Sequence, residues 1–414
     1  MSMHKRFQIV LSILFLFFLS ACQVQNESIE LNAADLTTQS EETATVEKIS
    51  PDGYAWLSFD SDVLEKWEIE QDAAWPEVLA ADMVHFEPTA SPARRHVTAI
   101  FSKESSAYAS GLNEILSYFD GKNAGAGVTV IQMNNSADRL DTVISWAEET
   151  NTDLILSFGS NATAWMHDVY QNGPVPVISV TSKDPVLLGQ IPDYEVGSGS
   201  NFAYTSLNVP IEVQLAYLQQ FRPELEQIGI LYAENNTSAV ETQVLPLAEA
   251  ASAVGVESLL IAVEDQSNAQ AELVDKMVTA TTQMLATDPN RENSLLWVTG
   301  STSVFNEIET INQYAAGFPV LSVVTDVTQA GPNSALMSIG IGFETNAQVA
   351  GRYAYDVLNG TDPGTLPVGI VSPPDIAINF LVARENNHII PFSFFESATF
   401  VYDPNGLPVN SVSP

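Results

Sequence analysis

The chain is predicted to be α/β, folded as two doubly wound lobes with parallel sheets. From His96 onward, short apolar runs alternate with amphipathic stretches of roughly 10–18 residues, the pattern of βαβ units. The alternation comes in two series, with a new start near Pro210. The apolar runs are too numerous for one compact sheet, and 414 residues suggest two or three domains.

In chain order, residues 1–21 read as a leader. Lys5 and Arg6 precede an apolar run, Phe7 to Leu19, that is too short to span a bilayer. Leu19-Ser20-Ala21-Cys22 then resembles the bacterial lipobox, in which cleavage precedes a cysteine that becomes lipidated. Cys22 is the only cysteine, so no intramolecular disulfide is possible and the residue is expected to be a lipid anchor. Residues 22–52 are polar and acidic without a sustained period, as in a flexible tether. Residues 53–94 hold Trp56, Trp67 and Trp75, half of the six tryptophans, and are expected to fold as a small N-terminal extension packed on the body.

The first lobe begins with "HVTAIFS" as a strand, then the helical "SSAYASGLNEILSYF". "GVTVIQM", "TDLILSFG" and "VPVISVT" are further strands, the first two followed by "SADRLDTVISWAEE" and "NATAWMHDVYQ". The second series opens with "PIEVQLAYLQQF" and "QIGILYA". It continues through "ESLLIAV", "SLLWVTG", "FPVLSVV" and "ALMSIGI", the last leading into "NAQVAGRYAYDVLNG".

Charge excludes some partners. With 15 Lys+Arg against 51 Asp+Glu, the net charge of −36 repels phosphate backbones and anionic lipid surfaces, so no nucleic-acid partner is expected. The acidity reads as a solvated surface.

Enzymatic signatures are missing. His4, His85, His96, His167 and His388 are scattered without metal-ligand spacing, and no GxSxG, P-loop or strand-linked GxGxxG occurs. His167 and Asp168 are neighbours in sequence, so on a helix they face different sides. The expectation is no catalysis, no cofactor and no metal.

In open parallel sheets ligands bind beyond the carboxyl ends of the strands. Those positions read "FGSNAT" (158–163), "TSKDPV" (181–186), "YAENNTS" (232–238), "TGSTSV" (299–304) and "TDVT" (325–328). Small polar residues there serve as helix caps or as contacts for a small anion. Asp184, Asp326 and Glu344 are the acids near these loops, with Asp184 equally suited to capping its own turn. Lys183 fits a carboxylate but reads more simply as a surface lysine. Tyr108, Trp165, Tyr232 and Phe343 are the nearby aromatics.

Those loops carry a resemblance. "VPVISVTSKDPVLLG", "NFAYTSLNVPIEVQL", "IGILYAENNTSAV", "GRYAYDVLNGTDPGTLPV" and "DIAINFLVARENNHIIP" occur in the order found in substrate-binding proteins of ABC transporters. The group resembled is the one with the type 1 periplasmic-binding-protein fold that includes tryptophan and tyrosine binders, and the likeness runs from about His96 to Asp403. It implies two lobes joined by three crossover strands, closing on a ligand. Lobe 1 is then 95–205 with 325–365, lobe 2 is 206–324 with 366–403, and 404–414 is a tail.

Residue by residue, the resemblance implies ligand contacts from Ser160, Asn161, Thr181 and Asp184 in the first lobe. Tyr232, Asn235, Asn236, Ser301 and Thr302 would come from the second, with Asp326 near a crossover. The chain departs from the group at Gly300-Ser301-Thr302, which replaces a "TDN" loop, and at Gly340-Ile341-Gly342-Phe343, which replaces "G-I-D-Y". Each departure loses an acid.

The expected function is a lipid-anchored substrate-binding protein in the bacterial cell envelope, its body outside the cytoplasm. It would capture a small solute, an amino acid or related compound, for an ABC permease. The alternative is a lipoprotein of the same fold that docks on an envelope enzyme or sensor and transports nothing, for which the tryptophan-rich extension would offer a surface.

Overall fold

The computed structural model describes residues 56–57, 77–86, 94–329 and 331–409. The leader, the tether, Cys22, Trp67 and Trp75 lie outside the described residues.

The first sheet has the order β1-β2-β4-β3-β5-β6-β7. Its strands are β1 (Glu77–Ala80), β2 (Met83–Phe86), β3 (Arg95–Phe101), β4 (Ala126–Gln132), β5 (Leu154–Phe158), β6 (Val177–Val180) and β7 (Phe202–Ala203). Strands β3 to β7 are parallel. β4, β5 and β6 are buried along their whole length, which is why they read as continuous apolar runs rather than alternating ones. Helices α1 (Ser106–Gly121), α2 (Leu140–Glu149) and α3 (Gly159–Tyr170) connect them.

From the extension, the β1–β2 hairpin lies antiparallel on β4 and forms the edge of this sheet. Asp82 in its turn pairs with Arg139, and its carbonyl accepts the Gln132 N–H at 2.9 Å. Trp56 and Leu57 join the same core, with Trp56 edge-on to Phe101 at 6.4 Å. The hairpin therefore covers a strand edge that would otherwise offer unpaired amides to another chain.

The second sheet has the order β15-β14-β13-β12-β11-β10-β8-β9. It contains β8 (Gln227–Ala233), β9 (Glu257–Val263), β10 (Ser294–Val298), β11 (Val320–Ser322), β12 (Met337–Gly340), β13 (Asp375–Asn379), β14 (Phe400–Tyr402) and β15 (Pro408–Val409). Strands β8 to β12 are parallel, whereas β13 runs antiparallel to β12 and β15 antiparallel to β14. Helices α4 (Ile211–Phe221), α5 (Leu245–Ala253) and α6 (Ala269–Thr287) belong to this lobe. The expected all-parallel sheets are thus mixed at their margins.

Each lobe has its own apolar core. Helix α7 (Phe343–Leu358) follows β12 yet packs Ala347, Ala350 and Ala354 into the core of the first lobe. The chain crosses between lobes after β7 and again at Ile341–Gly342. The last crossing is in 370–374, just past the Thr205↔Gly369 bridge.

Three boundaries expected from sequence need correction. Residues 366–369, assigned to lobe 2, still belong to lobe 1, since Leu366 packs on its core and Gly369 bridges Thr205. Residues 337–340, assigned to lobe 1, form β12 in the second sheet, because this strand pairs with β11 and β13. Residues 408–409, assigned to the tail, form β15 against β14.

Candidate functional site

Between the lobes lies a cavity of about 120 Å³, room for on the order of ten waters. Its lobe 1 wall comes from the carboxyl ends of β3, β5 and β6 and the helix starts that follow them. There, Ser105 and Tyr108 begin α1, Ser160 and Asn161 begin α3, and Thr181 and Lys183 follow β6. Lobe 2 contributes Asn235, Asn236 and Ser238 after β8, Gly300 and Thr302 after β10, and Gln266. Phe343, at the start of α7, touches the cavity and both cores.

Thr181 sits in the left-handed region at φ 48, although it is β-branched. Such a residue costs roughly 1–3 kcal/mol and persists only where its surroundings hold it. Here they do: Asn346 of α7, fully buried, accepts the Thr181 N–H at 2.9 Å. The same side chain donates to the Ser206 carbonyl at 3.1 Å in the first crossing segment. One amide thus joins the cavity wall to a connection between the lobes.

Gly159 is required at the start of α3. Its φ is +84, and a Cβ there would lie 1.9 Å from the Tyr108 hydroxyl. Tyr108 occupies that space, with its hydroxyl 3.0 Å from Ser102 Oγ. Asn161 beside it donates to Asn135 Oδ1 at 2.9 Å, so the polar rim is pre-arranged.

Lys183 spans the cleft. Its Nζ donates to the Gly300 carbonyl at 3.3 Å, while its own N–H bonds Ser160 Oγ at 3.0 Å. Burial pulls its pKa down to about 8, with repulsion from Lys103 adding to the effect. Burial also lowers the pKa of Lys103. The expectation of a simple surface lysine at 183 is corrected, because the side chain points across the cleft instead of into solvent.

Of the ten ligand contacts implied by the resemblance, six line the cavity: Ser160, Asn161, Thr181, Asn235, Asn236 and Thr302, joined there by Lys183, Tyr108 and Phe343 from the nearby residues noted in sequence. Four are not among its lining residues. Asp184 accepts from Val186 N and Leu187 N at 2.9 and 3.0 Å and from the Tyr194 hydroxyl at 2.6 Å, so its carboxylate closes its own turn. Ser301 is fully buried behind Asn236, to which it bonds at 3.3 Å. Tyr232 lies in β8 against the lobe 2 core, and Asp326 is an exposed member of a short 3-10 turn. Sequence reasoning missed Lys103, Ser105, Asn135 and Gln266. Lys103 and Ser105 follow β3, Asn135 follows β4 and Gln266 follows β9, each within four residues of the strand's carboxyl end, so the rule used for the other loops reaches all four.

His167 is in α3, bonded through Nδ1 to the Tyr204 hydroxyl at 2.8 Å, and does not line the cavity. Its pKa is lowered, chiefly by burial.

Two α/β lobes joined by three crossings, with a polar cavity between them, define a bilobed binding protein of the type 1 periplasmic architecture. The profile of the family described as "ABC transporter substrate binding protein" matches residues 96–401, and the chain belongs to that family. Its family-level function is to bind a solute for an ABC transport system, and the family is non-catalytic. A tyrosine-binding protein of Clostridioides difficile (strain R20291) is 24% identical over 274 residues, covering 63% of this chain and 70% of that one. In fold, the chain is similar to a conserved domain protein of Vibrio cholerae O1 biovar El Tor. That match has a TM-score of 0.61 and 17% identity, with 74% of this chain and 99% of that one covered. It is also similar to the ABC domain in complex with L-Trp from Streptococcus pneumonia, with a TM-score of 0.60 and 18% identity over 75% and 100% of the two chains.

Proposed function

We propose that this protein captures one small solute in the cleft between its lobes, closes on it, and delivers it to an ABC permease. The cross-cleft bond from Lys183 to Gly300 carries the reading, because it joins cavity-lining residues of both lobes at the point a solute would occupy. Ser160, Asn161 and Thr181 face Asn235, Asn236 and Thr302, a set able to bond a polar solute from two sides. Tyr108, Leu207, Phe305 and Phe343 supply apolar surface for the rest of it. The three crossings are the natural hinge for closure. The family and the tyrosine-binding relative support an amino acid or related compound as the solute class.

The reading includes attachment to the envelope through lipid on Cys22, supported by Leu19-Ser20-Ala21-Cys22. Membrane fractionation tests it: Cys22→Ala is expected to release the protein into the soluble fraction, and unchanged sedimentation with membranes would remove the anchor.

A thermal-shift screen with amino acids, carboxylates, nucleosides and sugars tests solute capture. A ligand at 100 times its Kd adds about 2.7 kcal/mol to the folded state, enough for a clear rise in Tm. No rise with any class would overturn the reading.

A further inference from the structure

The cavity holds two of the 15 lysines and arginines in a chain that carries 51 acidic residues, and none of the residues lining it is acidic. Lys103 and Lys183 have no carboxylate at ion-pair distance among the described residues; Arg94, Lys122, Arg222 and Arg291 lack one too, but none of those lines the cavity. In a protein this acidic, two cations kept together without counter-charge are held apart from the general charge pattern.

Two further observations point to the same place. Ser105 and Thr181 line the cavity, and the buried hydroxyl oxygen of each has no hydrogen-bond partner in the structure. Helices α1 and α3 both start at the cavity wall, and neither has an acidic residue in its first turn nor a side-chain bond from its cap residue. Their first amides and positive dipole ends favour negative charge. Helix α7 differs, since Asp375 accepts the Gly342 N–H at 3.0 Å beside its start.

From this grouping of Lys103, Lys183, Ser105 and Thr181 we infer that the solute is a net anion bearing a carboxylate or phosphate and no ammonium group. An α-amino acid brings an ammonium into a space that already holds two lysines, with no acidic residue lining it to receive the added charge. The same skeleton without the amino group leaves the oxyanion free to accept from both lysines. The inference rests on the solute-binding reading above and narrows it.

Calorimetric titration of the full chain with paired probes tests it. The pairs are 3-(4-hydroxyphenyl)propionate against tyrosine and isovalerate against valine. Glutarate, glycerol 3-phosphate and inorganic phosphate complete the anions, and ribose and adenosine serve as neutral solutes. At least one anion is expected to bind about tenfold or more tightly than its zwitterionic or neutral counterparts, and the carboxylate and phosphate arms identify which oxyanion fits. Lys183→Met and Lys103→Met are each expected to weaken that binding about tenfold or more, with Lys183→Arg restoring most of it. A circular-dichroism melt checks that each variant is folded. Tighter binding of a zwitterion or neutral solute would overturn the charge inference and leave solute capture standing. Binding of none of the probes would remove both.

Discussion

Asn346 Oδ1 accepts the Thr181 backbone N–H at 2.9 Å, tying the first cavity-facing residue after β6 to a side chain 165 residues later in the chain. The same oxygen is 3.3 Å from Thr205 Oγ1. Removing this side chain leaves the strained Thr181 N–H and the Ser206 carbonyl without this partner, while Thr205 Oγ1 keeps its bond to the Ser179 carbonyl at 2.8 Å. Asn346→Ala is expected to destabilise the fold by about 2–4 kcal/mol and to weaken solute binding through Thr181. Denaturant titration and a binding isotherm on the same preparation measure the two effects. A stability loss below about 0.5 kcal/mol would mean that Asn346 does not hold Thr181 in place.

Asp184 and the cavity separate in a second variant. Its carboxylate bonds two N–H groups of its own turn and the Tyr194 hydroxyl. Asp184→Ala is expected to cost about 1–3 kcal/mol of stability. Solute affinity should change less than about threefold, and a larger loss at unchanged Tm would place the carboxylate on the solute after all.

Lys183 sets a pH dependence. Its folded pKa of about 8 lies below the ordinary 10.5, so between those values the unfolded chain binds more protons than the folded one. The cost of burying the ammonium is fully present below pH 8 and fades as pH rises towards 10.5. Lys183→Met should therefore raise Tm more at pH 7 than at pH 10. For an anionic solute the ammonium is the binding form, so affinity should be flat below pH 8 and fall by up to about tenfold per unit above it. Isotherms from pH 6.5 to 9.5 check this, and a flat profile would detach Lys183 from the solute.

Gly159 makes a steric prediction. An added Cβ meets the Tyr108 ring and hydroxyl, and φ +84 disfavours any side chain. Gly159→Ala is expected to lower stability by more than about 1 kcal/mol. In the Tyr108→Ala background the same change should cost less, because the overlapping atoms are gone. Equal costs in both backgrounds, read from a double-mutant cycle, would assign the whole effect to backbone conformation.

The β1–β2 hairpin makes another. Deleting residues 77–86 uncovers one edge of β4, which it now pairs along Val128–Ile131. Light scattering on heating should show earlier aggregation than in the intact chain. Unchanged aggregation would indicate that something else covers that edge.

Much of this protein is written in local pattern. Continuous apolar strands, amphipathic helices and small polar residues at strand ends are properties of neighbouring residues, so the two lobes and the rim at Ser160, Asn161, Asn235, Asn236 and Thr302 were legible from sequence. The fate of Asp184 was not, because a short-range cap and a ligand contact use the same residue type at the same spacing. Lys183 was misread for a related reason: its burial depends on Gly300 and Lys103, far away in the chain and adjacent only after both lobes fold. The strand at 337–340 went to the wrong lobe since its partners β11 and β13 lie on either side in sequence, and pairing is settled by the sheet as a whole. Local chemistry alone determined the secondary structure, the bilobed class and half of the cavity rim. The tertiary structure decided which charges face each other across the cleft, because electrostatics acts through space and a linear sequence carries no distances between lobes.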